Sequence, residues 1–190
     1  MNTQKLLNRG LAFEYITLGW NIAGCIILAW AAYTAGSVAL WGFGIDSVIE
    51  IFASIIVVWQ LKAIHKNNEK KALRWIGIAF VLLALYLIIQ SSFALLNKIH
   101  ARESVMGIIW LGVTALVMFL LAYGKRTVGK KLDHTVLKTE AKVTLVDGIL
   151  ASVVLLSLLL NLFFGIWWVD ALAGFVIAFY SIQEGVHAFT

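Results

Sequence analysis

The chain has 190 residues, of which 62% are hydrophobic and only 13% are charged, and it contains no proline. A water-soluble domain of this size does not need so much apolar surface for its core, so the composition excludes a soluble protein and predicts an integral membrane protein. The formal net charge of +5 comes from basic residues gathered beside apolar runs, which indicates membrane orientation rather than nucleic-acid binding.

Six apolar runs are each long enough to cross about 30 Å of hydrocarbon as a helix that rises about 1.5 Å per residue. Their length and their leucine, isoleucine and alanine content favour helices over the short alternating strands of a membrane barrel. We therefore predict an all-α polytopic membrane protein, a six-transmembrane-helix bundle that forms a single domain over residues 1–190, with no soluble domain. The predicted helices cover about residues 11–32, 36–60, 75–96, 105–124, 141–162 and 166–186.

The basic residues predict the orientation of this bundle. Thirteen of the fifteen fall on one side of the predicted helices, and only Lys98 and Arg102 fall on the other. By the positive-inside rule, both termini are expected to face the cytoplasm of an inner or plasma membrane. The basic segment 124–138 is predicted to be a loop that anchors this topology beside anionic headgroups. The thirteen are Lys5, Arg9, Lys62, Lys66, Lys70, Lys71, Arg74, Lys125, Arg126, Lys130, Lys131, Lys138 and Lys142.

The first predicted helix is expected to stay in the protein, because its apolar run is too long for a secretory signal and lacks a small-residue cleavage site. It carries Glu14, Thr17 and Asn21 at helical spacing. Glu14 is either an interfacial residue that extends toward the headgroups or part of a site, as a proton relay or auxiliary ligand. The single cysteine, Cys25, excludes an intrachain disulfide and is interpreted as a packing residue.

The second predicted helix carries two acids, Asp46 and Glu50, among isoleucines, valines and aromatic residues. An acid near the centre of a membrane helix costs about 2.5–3.5 kcal/mol on insertion scales, so such residues are functional by default. Four positions apart, the two side chains share one helix face, with Cβ atoms about 6 Å apart, and can share a proton or bind one cation. The alternative is a pair of protonated acids that bond to neighbouring helices.

The fifth predicted helix adds Asp147, with Glu140 seven residues earlier on the same face. A third buried acid favours a cation site, because carboxylate oxygens are hard ligands that suit divalent cations. We predict that Asp46, Glu50 and Asp147 bind a metal ion, and that Glu140, like Glu14, is a proton relay or an auxiliary ligand.

The remaining polar residues are interpreted as structural. Asp170, at the first turn of the sixth predicted helix, is expected to cap the helix. Gln90, Ser91 and Ser92 are expected to form hydrogen bonds between helices. The histidines are expected in loops or at helix ends, as solvated or interfacial residues rather than ligands. They are His65, His100, His134 and His187.

Three segments resemble the cation diffusion facilitator family. "SVALWGFGIDSVIEIFASIIVVW" resembles its second helix, "KKLDHTVLKTEAKVTLVDGILASVVLL" its basic loop and fifth helix, and "WWVDALAGFVIAFYSIQEG" its sixth helix. The residues of the segment "GFGIDSVIE" are most similar to those of a small branch of the family, whose members carry the transmembrane unit alone.

The resemblance implies efflux of a divalent metal, usually zinc, in exchange for protons, by a homodimer whose metal site lies between helices 2 and 5. Asp46 and Glu50 then correspond to the ligands of helix 2, and Asp147 to the acid of helix 5. Two features are expected to depart from the family pattern: Val143 stands where a second helix 5 ligand is usual, and the protein is expected to lack the cytoplasmic metal-binding domain that normally follows helix 6. The metal is expected as the transported substrate, with no cofactor.

Two other functions are open at this point. The protein can be a metal-binding membrane scaffold without transport. An intramembrane aspartyl protease, with Asp46 and Asp147 as its two acids, fits less well, because Ile45 separates Gly44 from Asp46 and Val146 replaces the tyrosine of the partner motif. We therefore predict a protein that is not an enzyme.

Overall fold

The computed structural model describes residues 3–62, 69–133 and 135–187. These residues form six helices and no strand, which confirms the all-α polytopic bundle predicted from the sequence. The helices are α1 (Thr3–Ala35), α2 (Val38–Lys62), α3 (Glu69–Leu96), α4 (Val105–Leu132), α5 (Thr135–Phe164) and α6 (Trp168–His187).

Five of these helices contain stretches long and apolar enough to cross a membrane, and α3 adds a shorter apolar stretch within its described residues, Phe80–Leu96. The outer surface is apolar, as lipid contact requires: Ile26, Tyr33 and Leu96 are 71%, 77% and 84% exposed. A soluble protein would have to cover such a surface. The chain is therefore a membrane protein with several apolar helices.

The prediction that residues 124–138 form a loop is wrong. α4 continues through it to Leu132, and α5 begins at Thr135. The buried face of α4 extends into this segment through Leu121, Lys125 and Val128, so packing against α5 holds it helical beyond the apolar run. Hydrophobicity marks the part of a helix in lipid and not its end, and α1 likewise begins at Thr3 rather than near residue 11.

The turn between α4 and α5 is formed at Asp133. Its backbone is left-handed, with φ 50°, and its N–H donates to the carbonyl groups of Gly129 and Lys130, which ends α4. The Lys138 ammonium donates to Asp133 Oδ1 at 2.5 Å and holds the pKa of that exposed carboxyl below its ordinary value. We call this end of the bundle, with the exposed Lys130 and Lys131, the basic end.

α2 lies centrally in the bundle. It contacts α1, α3, α5 and α6, while α1 also packs on α4, α4 on α5, and α3 on α6. The chain turns from α1 into α2 at Gly36, whose φ of 63° suits a residue without Cβ. This arrangement places one face of α2 against α5, where the predicted metal ligands lie.

Candidate metal centre

The structure brings the three predicted metal ligands together inside the bundle. Asp46 and Glu50 lie one turn apart on α2 and Asp147 lies on α5, and these side chains are 2%, 4% and 3% exposed. The carboxyl groups of Glu50 and Asp147 lie within hydrogen-bond reach of each other, and Asp46 interacts electrostatically with each of them. The helical spacing on α2 and the contact of α2 with α5 produce this arrangement.

Asn21 of α1 fixes the orientation of Glu50. Its Nδ2 donates to Glu50 Oε2 at 3.0 Å, between two buried side chains. The polar residues that follow one face of α1, from Glu14 through Thr17 to Asn21, thus lead to the three acids. Asn21 lies at the depth of Glu50. Hydrogen bonds of this kind between helices hold polar groups in a membrane interior.

Each acid also keeps one oxygen without a hydrogen-bond partner within the described part of the chain. These buried atoms are Asp46 Oδ1, Glu50 Oε1 and Asp147 Oδ2. A buried polar atom without a partner costs free energy, and a buried unpaired charge costs much more. The three carboxyl groups therefore have bonding capacity that the surrounding helices do not use.

The acids are not closed around a single point. Among the described residues, no three or more His, Cys, Asp or Glu side chains stand in an arrangement that holds a metal ion. Coordination by Asp46, Glu50 and Asp147 together would therefore require α2 and α5 to shift or their side chains to rotate.

Sequence reasoning missed two groups that α6 adds near this set. The charge of Glu184 acts on Asp46, and the Tyr180 side chain lies within the influence of Asp46, Asp147 and Glu184. The Tyr180 hydroxyl is buried and has no hydrogen-bond partner among the described residues. The contact of α6 with both α2 and α5 explains the placement, which spacing within α6 alone does not indicate.

A second polar cluster lies closer to the basic end and is centred on Lys125 of α4. Its Nζ donates to Glu14 Oε2 at 3.1 Å, to Glu140 Oε1 at 3.3 Å and to Thr144 Oγ1 at 3.1 Å. Lys125 and Glu14 are completely buried, and Glu140 is 6% exposed. The cluster connects α1, α4 and α5.

These contacts correct the interpretation of two residues. Lys125 does not anchor the chain at headgroups, because its side chain is inside the bundle. Glu14 is not an exposed interfacial residue, since it is paired with Lys125. The missed signal was the spacing of Lys125 from Leu121 and Val128, which keeps it on the buried face of a helix that continues past residue 124.

Asp170 caps a helix, but not its own. It accepts hydrogen bonds from Ser37 Oγ, from Val38 N at 2.9 Å and from Ala39 N at 3.5 Å, all at the start of α2. The first N–H groups of a helix lack intrahelical acceptors, and a carboxylate there satisfies them and complements the helix dipole. Asp170 thus ties α6 to the helix that carries Asp46 and Glu50.

The histidines that the structure describes lie away from the acids, between α3 and α4 and at the end of α6. His100 stacks on Trp167, with ring centroids 5.2 Å apart, His187 ends α6, and His65 and His134 lie outside the described residues. Val143 is half-buried, one turn before Asp147. Cys25 is half-buried, with its Sγ 3.9 Å from the Gly44 carbonyl oxygen.

Comparison with known proteins identifies the family. Residues 75–190 match the model of the cation efflux transmembrane domain. The chain is also 28% identical, over 177 residues, to Transmembrane protein 163 of Xenopus laevis, in an alignment that covers 87% of this chain and 62% of that protein. The chain thus spans less than two thirds of the length of this relative. The matched domain is that of membrane transporters of metal cations and not of enzymes. The family match covers more than half of the chain, so this protein belongs to the cation efflux family.

Proposed function

We propose that the protein transports a divalent metal cation across the membrane in exchange for protons, and that Asp46, Glu50 and Asp147 bind the cation. The observation that carries this proposal is the set of three buried carboxyl groups, each with an oxygen that no described residue bonds. Carboxylate oxygens are suitable ligands for divalent cations. Membership of the cation efflux family supports the same class of substrate.

The charges of Asp46, Glu50 and Asp147 also favour neutralisation by ions that can leave the site, namely protons or a metal cation. The buried Lys125 ammonium bonds to Glu14 and Glu140 and not to the three acids of the candidate centre. Neighbouring buried carboxylates resist joint ionisation, so protons neutralise them when no cation is bound. A cation that binds must displace these protons, and this competition couples metal movement to proton movement.

The transport step requires a change in how α2 and α5 face each other. The acids are close but do not enclose a metal ion in this conformation. In our proposal, the cation draws Asp46, Glu50 and Asp147 together, and rocking of helix pairs exposes the centre to each side in turn. Zinc is the substrate that the family resemblance implies, although its sites commonly include nitrogen or sulfur ligands.

The orientation and assembly are part of the same proposal. The basic end, where Lys130 and Lys131 are exposed, faces the cytoplasm by the positive-inside rule. Both termini then lie on that side of an inner or plasma membrane. The homodimer is the assembly that the family resemblance implies.

Reconstitution into proteoliposomes tests the function. Vesicles that contain a metal-sensitive dye receive external Zn²⁺ or Mn²⁺ and an imposed pH gradient. We expect the gradient to drive metal movement that Asp147→Asn abolishes and that Glu103→Gln, which changes an exposed acid outside the helices, leaves intact. If the protein binds metal but no gradient moves the metal, it is a metal-binding scaffold and not a transporter. Absence of both binding and movement would refute the site.

A further inference from the structure

The Lys125 side chain ends in a cradle of oxygen atoms. Oxygens of Glu14, Glu140 and Thr144 surround its Nζ at 3.1–3.3 Å. The Thr144 hydroxyl donates to the Glu140 carbonyl oxygen at 3.0 Å, so its lone pairs point away from its own backbone. Two helices, α1 and α5, thus position three oxygens around the one positive charge that α4 supplies in the interior of the bundle.

The cradle holds more acceptor capacity than the ammonium uses. Glu14 Oε1 is buried and has no hydrogen-bond partner among the described residues, although Oε2 of the same carboxylate contacts Lys125. Because the two oxygens share one carbon, Oε1 also lies at the cradle. Two carboxylates and one ammonium give the ionised cluster a formal charge of −1. A divalent cation in place of the ammonium would bond to more of these oxygens.

The cradle lies between the basic end and the candidate metal centre. Glu140 precedes Asp147 by seven residues on α5, and Glu14 precedes Asn21, the partner of Glu50, by seven on α1. Seven helical residues rise about 10 Å, so both helices place the cradle about 10 Å nearer the basic end than the acids. The charges of Glu14, Glu140 and Lys125 nevertheless act on Glu50.

We propose that Glu14, Glu140 and Thr144 form a second cation site at the side of the basic end, which the Lys125 ammonium fills until a divalent cation displaces it. The site lies on the basic-end side of Glu50, one turn or more along α1 and α5 from the candidate metal centre. Its role as the entrance for the transported cation rests on the proposed function, but the site itself does not. A tethered ammonium then keeps the cradle charged and ordered when no metal is present.

The oxygen donors predict which cations the cradle accepts. Its four side-chain oxygens are the two of Glu14, Oε1 of Glu140 and Oγ1 of Thr144, and it offers neither nitrogen nor sulfur. Such sets suit hard cations such as Mn²⁺ and Mg²⁺ better than Zn²⁺. Metal–oxygen distances of about 2.0–2.6 Å require the oxygens to move inward by about 1 Å once the ammonium leaves. Mn²⁺ is the practical probe because its free concentration is measurable by electron paramagnetic resonance.

Binding is measured in a protein whose candidate metal centre is disabled by Asp46→Asn and Asp147→Asn. In this background, Lys125→Met should tighten Mn²⁺ binding about tenfold or more, because the competing charge is gone, whereas Lys125→Arg, which keeps it, should not. Adding Glu14→Gln to the Lys125→Met protein should remove the gain. Equal Mn²⁺ affinity of the Met and Arg variants would overturn the proposal. Since two of the three candidate ligands, Asp46 and Asp147, are already replaced in this background, this outcome leaves the proposed transport function untouched.

A second measurement tests the same displacement in a protein that retains Lys125, so the test does not depend on the folding of Lys125→Met. In the Asp46→Asn, Asp147→Asn protein, Mn²⁺ should release the ammonium from the cradle and make Lys125 reactive toward an amine-specific reagent. Labelling at Lys125, measured by mass spectrometry, should rise several-fold with Mn²⁺, and Glu14→Gln should abolish the rise. Unchanged labelling of Lys125 at Mn²⁺ concentrations up to the millimolar range would overturn the displacement.

Discussion

Lys125 Nζ lies 3.1 Å from Glu14 Oε2, although the two residues are 111 positions apart in the chain. The contact pairs α4 with α1 inside the bundle, and Glu140 of α5 joins it at 3.3 Å. A buried ion pair does not necessarily stabilise a fold relative to apolar residues, but removal of one partner leaves a buried charge without compensation. The free energies of unfolding of single and double variants at Lys125 and Glu14 are therefore expected to be non-additive.

Lys125→Met should lower the free energy of unfolding by about 3–5 kcal/mol, because Glu14 and Glu140 then lose their common partner. Adding Glu14→Gln should recover part of the loss, since one of the uncompensated charges is removed. Thermal unfolding of the detergent-solubilised protein without metal compares the single and double variants. A double variant that is less stable than Lys125→Met by the full effect of Glu14→Gln alone would show that the two residues do not interact.

Run length and hydrophobicity were sufficient to predict the six helices, because a span in lipid requires a long apolar stretch. The pairing of Asp46 with Glu50 followed from helical spacing, and the position of Asp147 opposite them from the family resemblance. Lys125 was missed because a basic residue after an apolar run indicates a loop when charge alone is considered. The long α4–α5 hairpin carries it inside, and packing between helices, which hydropathy does not register, determines that length.

Glu184 and Tyr180 also show that a sequence pattern within one helix does not reveal how that helix packs against others. Spacing within α6 does not show which face meets α2 and α5, so neither residue was predicted near Asp46. Asp170 was predicted to be a cap, but the helix that it caps is α2, 131 to 133 positions away in the chain. Contacts between distant helices decide both cases.

Asp46→Asn and Glu50→Gln should each weaken metal binding by at least an order of magnitude while the protein folds as well as before, or better. The reason is that each change removes a ligand and also a buried ionisable group that is costly in the membrane. Isothermal titration with Zn²⁺ and Mn²⁺, together with thermal unfolding, measures the two effects. Glu103→Gln is the matched control, since Glu103 is exposed between α3 and α4. Unchanged affinity in both variants would refute the assignment.

Val143→His should tighten Zn²⁺ binding relative to Mn²⁺, because it adds a nitrogen donor one helical turn before Asp147. Competition titrations give the ratio of the two affinities. Leu145→His is the control, because Leu145 is 42% exposed on the outer surface and its replacement should leave the ratio unchanged. If Val143→His behaves like the control, position 143 does not face the bound metal.

Asp170→Ala should lower the free energy of unfolding by about 1–3 kcal/mol, because Ser37 Oγ and the backbone N–H groups of Val38 and Ala39 lose their acceptor. Asp170→Asn keeps an acceptor oxygen and should cost less. Metal affinity, measured well below the unfolding temperature, should stay within twofold of the original for both variants. A large loss of affinity without loss of stability would assign Asp170 to the metal site.

Proton linkage separates a transporter from a scaffold and a protease. Ionised carboxylates bind the cation and protonated ones do not, so the apparent metal affinity should weaken as the pH falls. Asp46, Glu50 and Asp147 titrate as a coupled set, and the dependence should therefore extend over a wider pH range than one group would give. Titrations of metal binding at a series of pH values measure this dependence, and Asp147→Asn should flatten it. In dye-loaded vesicles, an outward proton gradient, with the acidic side inside, should drive external metal inward against its own gradient, and the same variant should stop the movement. If metal binding follows pH as expected but no gradient moves the metal, antiport is wrong and the protein is a metal-binding scaffold; cleavage of peptides at low pH without metal would instead assign the acids to a protease.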